Sequence, residues 1–285
     1  MTEELPAEIA TLADRVGVAL GEPERLGVAF SGGVDSSVLL ALATRSLGAD
    51  RTLAILGVSS SLAASERRAA HEVAAEIGAP LVELRTHELD RPEYRANGPD
   101  RCFHCKTELF SRIDDSVARR YHLTAIAYGE NADDARRPDR PGSAAARNHR
   151  VLRPLAEAGL GKDDVRRVAR ALGLRSADKP AAPCLASRIP HHEPVTAAKL
   201  RQVEDAEEVL HALGFTEARV RHHGETARIE VPPGDLLRAV SEPARTELVR
   251  GVRAAGFRFV CVDLAGVQSG AFTLPLLTPS LRGDA

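Results

Sequence analysis

A short apolar run at residues 26–30, LGVAF, stops at Ser31-Gly32-Gly33, and a helical pattern opens at once with Asp35-Ser36-Ser37, continuing through Val38, Leu39, Leu42 and Leu47. No other stretch restricts the fold as strongly, because a strand must end in a glycine turn that launches a helix. The glycines let the backbone fold tightly and leave amides exposed at the helix N-terminus, where the dipole adds positive potential. Such a turn binds phosphate. It is not a Walker A loop, which needs four residues between its glycines and a Lys before the Ser/Thr. The donors are therefore backbone amides of the turn, whose glycines are Gly32 and Gly33, and the hydroxyls of Ser31, Ser36 and Ser37. Asp35 is available for a magnesium ion that bridges phosphates.

The alternation repeats downstream. Apolar runs at 52–58, 80–84 and 123–128 are separated by helical patterns at 62–77, closed by Gly78, and at 107–120. Strands apolar on both faces, alternating with helices of about 15 residues, predict an α/β fold with a parallel sheet covered by helices. Ligands of such sheets gather at the carboxyl ends of the strands. Ser59 follows the second strand there, and Gly129, Asn131 and Asp133 follow the fourth, so all four are candidate nucleotide contacts; helix capping and an acidic surface turn are the plainer alternatives. The basic segment 136–150 reads as a loop suited to an anionic substrate or to solvation, and 151–155 with a helix at 162–172 completes a first domain, 1–190. Its last part, 178–190, is too rich in proline for regular structure. A second, smaller α+β domain, 191–285, contains a helix with Leu200, Val203, Ala206 and Leu210 on one face, then strands at 218–221, 227–231 and 257–264; the last dozen residues are expected to fray.

Composition narrows the function. With 38 Lys+Arg against 40 Asp+Glu, 4% aromatics and no Trp, the chain offers no overall field or stacking surface for nucleic acid. The N-terminus is acidic and helically patterned, unlike a signal peptide or a membrane span, which predicts a cytoplasmic protein with no membrane partner.

Four cysteines in such a chain suit catalysis or metal binding better than disulfides. Cys102-x-x-Cys105 could be a redox pair, half of a zinc site, with three cysteines and His104 as the full set, or two ligands of an iron–sulfur cluster. With Cys184 there are three thiols, enough for a [4Fe–4S] cluster with one iron left open. Lys179 and Arg188 flank Cys184 within five residues and are expected to favour its thiolate. Cys261 lies in an apolar run and reads as core.

SGGVDS resembles the PP-loop of the N-type ATP pyrophosphatases, which implies cleavage of ATP to AMP and pyrophosphate with adenylylation of a carbonyl or carboxylate oxygen. The blocks DRCFHCK, GENADD, RPG, AGLGKDDVR, DKPAAPCLASR, RVRHHGETARIEV and FVCVDLAGVQSG extend the resemblance over almost the whole chain, to the LarE family of ATP-dependent sulfur transferases. That resemblance implies a small nucleotide substrate, pyridinium-3,5-biscarboxylic acid mononucleotide, whose carboxylates are adenylated and converted to thiocarboxylates. It further implies ATP and Mg2+ at the loop, with Asp35 and Cys184 as catalytic residues, and a homo-oligomer. In single-cysteine members the residue matching Cys184 gives up its own sulfur. This chain is similar instead to three-cysteine members, for which a [4Fe–4S] cluster on Cys102, Cys105 and Cys184 is implied. Arg188 and Arg221 are expected substrate contacts, with Arg219, Arg228 and Glu230 nearby in sequence but unassigned. A tRNA-thiolating enzyme, an ammonia-using synthetase of the GMP/NAD type and a non-catalytic nucleotide-binding module are the competing readings.

Overall fold

Four of the apolar runs pair as parallel strands: β1 (Leu26–Ala29), β2 (Thr52–Val58), β3 (Leu81–Arg85) and β4 (Ala125–Tyr128), in the order β3-β2-β1-β4. Leu152 adds a single parallel bridge to Ala127 at the free side of β4. The chain leaves β1 toward β2 on one side and returns to β4 on the other. The crevice at their carboxyl ends is therefore the switch point where a doubly wound sheet takes ligands.

The computed structural model describes residues 5–137, 142–180 and 183–268. Those within Met1–Glu88 and Cys102–Ala182 pack as one unit, and those within Leu89–Arg101 and Pro183–Ala285 as a second. The chain thus crosses between units at 88/89, 101/102 and 182/183, where the sequence suggested one boundary at 190. The final dozen residues and parts of the RPG and QSG blocks lie outside the described residues. Among those described, no helix is long and apolar enough to cross a membrane.

In the first unit the helix Val34–Leu47 is buried on nearly every face, with Val38, Leu39 and Leu40 fully enclosed. It contacts β1 and β2 and is covered by the helices Ala7–Leu20, Ala64–Ile77 and Lys162–Ala171. Burial of each such Leu or Val contributes about 1.5–3 kcal/mol, so the phosphate-loop helix is anchored by its whole length. Two stretches differ from expectation. The helix placed at 107–120 begins earlier, at Arg101, running to Arg112 and continuing through a π-turn at Ile113–Val117 to Arg120. Within the expected basic loop, Gly142–Asn148 is helical, as is Ala132–Arg136 just before it.

The second unit is a mixed sheet of β5 (Arg219–His223), β6 (Thr226–Glu230) and β7 (Phe259–Val262), with β5 antiparallel and β7 parallel to β6. The helix Ala197–Ala212, capped by the Thr196 hydroxyl, lays Leu200, Val203, Ala206 and Leu210 into its core. Cys261 is not core as expected. On the edge strand β7 the exposed residues alternate, and Cys261 and Phe259 face outward, the former with its thiol on the Ala227 carbonyl at 3.5 Å.

Gly129 ends β4 for a steric reason. A Cβ there would stand 2.7 Å from the Ser36 amide nitrogen and 2.8 Å from the Asp35 carbonyl carbon, both backbone atoms that cannot swing aside. Overpacking of this kind costs about 1–3 kcal/mol. Gly129→Ala is therefore expected to lower Tm by several degrees and to weaken ATP binding as well, measured by calorimetry. Unchanged values would show that strand and helix are less tightly joined than the geometry requires.

Candidate functional site

The turn after β1 is closed by its own hydroxyls. Ser36 Oγ donates to the Gly33 carbonyl at 3.0 Å, accepts the Ser31 amide at 3.2 Å and lies 3.2 Å from Ser31 Oγ. Ser37 is fully buried and donates to the same Gly33 carbonyl at 2.9 Å, so it stiffens the helix start and does not face outward. Gly32 has φ of +71° and its Cα hydrogen side lies against Ala70, leaving no room for a Cβ. The first helical hydrogen bond runs from Ser37 N–H to the Gly33 carbonyl at 2.9 Å. Helix geometry thus leaves the amides of Val34, Asp35 and Ser36 ahead of the ladder, pointing out of the N-terminus.

Asp35 is held by residues distant in sequence. Its Oδ1 accepts from Asn131 Nδ2 at 2.9 Å and its Oδ2 from Lys162 Nζ at 2.6 Å. Asn131 is buried and caps the helix Ala132–Arg136 by accepting the Asp134 amide at 2.9 Å. Asp133 accepts the backbone N–H of Lys162 at 2.7 Å, and a Cβ on Gly161 would press on its carboxylate at 3.0 Å. The end of β4 and the AGLGKDDVR block are thereby joined beside the glycine turn that follows β1. Lys162 was not singled out from the sequence, which showed no lysine inside the loop; the structure supplies one from 127 residues further along the chain.

Ser59 lies at the end of β2, but its hydroxyl donates to the buried Glu88 and accepts the Ser61 amide at 3.1 Å, an internal turn. Gly129 serves the close approach described above. Of the predicted nucleotide contacts, the structure brings together Ser31, Gly32, Gly33, Asp35, Ser36, Asn131 and Asp133.

Cys102 and Cys105 stand three residues apart on the helix Arg101–Arg112, hence on one face, with Cys102 exposed and Cys105 half-buried. His104 falls between them and off that face. None of the four cysteines is in a disulfide. Among the described residues no group of three or more His, Cys, Asp or Glu side chains is assembled as a metal site.

In the second unit Cys184 is exposed and precedes a 3-10 turn, Leu185–Arg188. The cations expected beside it are engaged with carboxylates: Lys179 with Glu66 at 2.7 Å in the first unit, and Arg188 with Glu207 through two bonds of 2.8 and 3.1 Å. Arg188 and Arg221 do not hold their guanidinium forks out to a ligand. Both are buried, Arg221 against Glu230 at 3.0 and 2.9 Å, and they bind the backbone of the Cys184 turn, Arg221 at the Ser187 carbonyl (3.0 Å) and Arg188 at the Pro183 and Cys184 carbonyls. Arg228 joins Glu230 at 3.1 Å and Asp263 at 3.3 Å, and Arg219 donates to the Gln268 carbonyl at 2.9 Å. Burial, aided by the charges of Arg188 and Arg221, lowers the Arg219 pKa, while Glu230 and Glu207 act the other way.

Removing one partner of a buried pair leaves the other charge unpaired, at a cost of about 3–5 kcal/mol, whereas replacing both with apolar groups is far milder. Arg188→Met and Glu207→Leu are each expected to lose stability on that scale in urea unfolding, and the double variant less than either. Additive losses would show that the pair is not coupled.

The asparagine synthase family matches residues 10–129, the stretch holding β1 through β4. Over 93% of the chain and 94% of its own length, a protein of Lactiplantibacillus plantarum, pyridinium-3,5-bisthiocarboxylic acid mononucleotide synthase, is 34% identical. An uncharacterised protein of Synechocystis is 40% identical over 88% of this chain and 92% of its own, and an uncharacterised protein of Methanocaldococcus jannaschii is 27% identical over 85% and 90%. With an amide-lined turn at the switch point of a parallel sheet and this similarity along nearly its whole length, the chain belongs to the LarE family of PP-loop sulfur transferases.

Proposed function

We propose that this chain is an ATP-dependent sulfur transferase acting on pyridinium-3,5-biscarboxylic acid mononucleotide, with a product of the kind named for its Lactiplantibacillus relative. The observation that carries the reading is the anion-binding turn at Ser31–Ser36 with the Asp35 carboxylate held between Asn131 and Lys162. A carboxylate oxygen of the substrate attacks the α-phosphorus of ATP, and pyrophosphate leaves with the electrons of the broken P–O bond. Sulfide then adds to the acyl carbon, and AMP leaves with the former carboxylate oxygen. Two rounds convert two carboxylates.

The chain's residues divide the work. Amides of the turn orient the phosphates, and Asp35 offers an oxygen to Mg2+. Lys162 balances Asp35 and, with nucleotide bound, the negative charge that gathers on the departing pyrophosphate.

The donor set fits an iron–sulfur cluster: two thiols on one helix face and a third, Cys184, exposed on its turn. Bound by Cys102, Cys105 and Cys184, such a cluster would supply the sulfide to be transferred, one iron having no cysteine ligand. Cys184 then survives the reaction. The family resemblance also favours a homo-oligomer.

Lys162→Ala is expected to slow pyrophosphate release by about 100- to 1,000-fold, the loss typical of one preorganised charge-stabilising donor. A change within twofold would remove Lys162 from the phosphate site. Cys184→Ala is expected to keep ATP binding and to abolish thiocarboxylate formation; retained product would exclude Cys184 from the mechanism. Anaerobic protein reconstituted with iron and sulfide should hold about four irons per chain, and its intact mass should be unchanged after turnover once the cluster is stripped. A chain lighter by hydrogen sulfide, with dehydroalanine at Cys184, would instead make that cysteine the sulfur donor.

A further inference from the structure

A loop with prolines at 183, 190 and 194 lacks three amide donors, and its short turn bonds, such as Ser187 N–H to the Cys184 carbonyl at 2.9 Å and Ile189 N–H to the Ala186 carbonyl at 3.2 Å, leave its path open. Side chains add the bonds that define it. On one side Arg188 and Arg221 bind the carbonyls of Pro183, Cys184 and Ser187, as described. On the other, Asn97 is fully buried and its Nδ2 donates to the carbonyls of Pro190 at 2.7 Å and Glu193 at 3.0 Å, with Ile189 at 3.3 Å. The Asn97 carbonyl accepts the His192 amide at 3.1 Å. Arg101, also buried, donates through Nη1 both to Asn97 Oδ1 and to the Ala186 carbonyl, the latter at 2.9 Å. Asn97 has φ of +57°, a conformation asparagine tolerates better than most residues.

These contacts all lie within the second unit, and they come from a segment of thirteen residues, Leu89–Arg101, that the chain inserts into it from between β3 and the C-x-x-C helix. Arg101 is the residue immediately before Cys102, and the helix that carries Cys102 and Cys105 starts at it.

We infer that Asn97 and Arg101 are positioning residues for sulfur transfer: their donors set the path of the turn that presents Cys184, and neither takes part in adenylation. This inference rests on the proposed function above. A misplacement of about 1 Å can cost roughly a hundredfold in rate when a reacting group must be held in line. Loss of the amide or the guanidinium should therefore weaken the second half-reaction alone.

The test uses Asn97→Gly, which keeps the left-handed backbone and removes only the amide, and Arg101→Lys, which keeps the charge and loses the paired donors. Pyrophosphate release and thiocarboxylate formation are measured separately, and alkylation of each cysteine by iodoacetamide is followed by peptide mass spectrometry in cluster-free protein. The expected result is pyrophosphate release within about twofold of the parent, thiocarboxylate formation down at least about tenfold, and an alkylation rate changed several-fold at Cys184 but not at Cys261. Equal losses in both half-reactions, or Cys184 alkylation unchanged in both variants, would overturn the inference. A parent protein that releases pyrophosphate but forms no thiocarboxylate would instead sink the functional reading, while the alkylation comparison still judges the positioning role.

Discussion

The carboxylate of Asp35 is the junction on which the first unit's site depends. It sits in the first turn of a helix whose amides attract anions, where a carboxylate is stabilised but would also repel phosphate. Lys162 resolves that conflict at 2.6 Å, and Asn131 fixes the second oxygen at 2.9 Å. Three segments that are remote in sequence must fold correctly before this arrangement exists. The glycines at 32, 129 and 161 allow it, each where a side chain would strike a neighbour's backbone or carboxylate. An ordinary phosphate loop carries its lysine internally. Here the same charge arrives from the helix Lys162–Ala171, held in place by its own amide on Asp133.

The second unit solves a different problem. A proline-rich loop cannot join a ladder, so arginine and asparagine side chains supplement the turn bonds to its carbonyl groups, and Arg188 and Arg221 are themselves locked by Glu207 and Glu230. Glu207 also accepts the Val220 amide at 2.9 Å, so the sheet, the helix Ala197–Ala212 and the Cys184 turn share one carboxylate. A buried charged network of this kind gives little net stability, yet it fixes one conformation because half-satisfied alternatives are costly.

Much of this was legible in the sequence. Continuous apolar runs such as 52–58 declared buried parallel strands, and Ser31-Gly32-Gly33 declared a tight strand-to-helix turn, because both follow from local backbone chemistry. Lys162 was not legible: no local rule connects it to Asp35 across 127 residues, although it stands inside the AGLGKDDVR block. The early start of the C-x-x-C helix could have been found, since Pro99 and Asp100 are residue types that favour a helix beginning. Arg188 and Arg221 were read as substrate contacts because arginine forks suit anions. In the structure both forks are buried against Glu207 and Glu230, and burial of a polar residue is a tertiary fact that composition does not announce. Cys261 erred in the opposite direction: an apolar run on an edge strand leaves alternate residues outside.

The claim at the centre is that ATP activates a carboxylate oxygen, which then departs on AMP. Substrate labelled with heavy oxygen in both carboxylates, incubated with ATP and the complete protein, gives AMP whose mass reports the path of that atom. The account predicts one heavy oxygen in each AMP formed and none in pyrophosphate. Unlabelled AMP, or label in a phosphate product other than AMP, would contradict it.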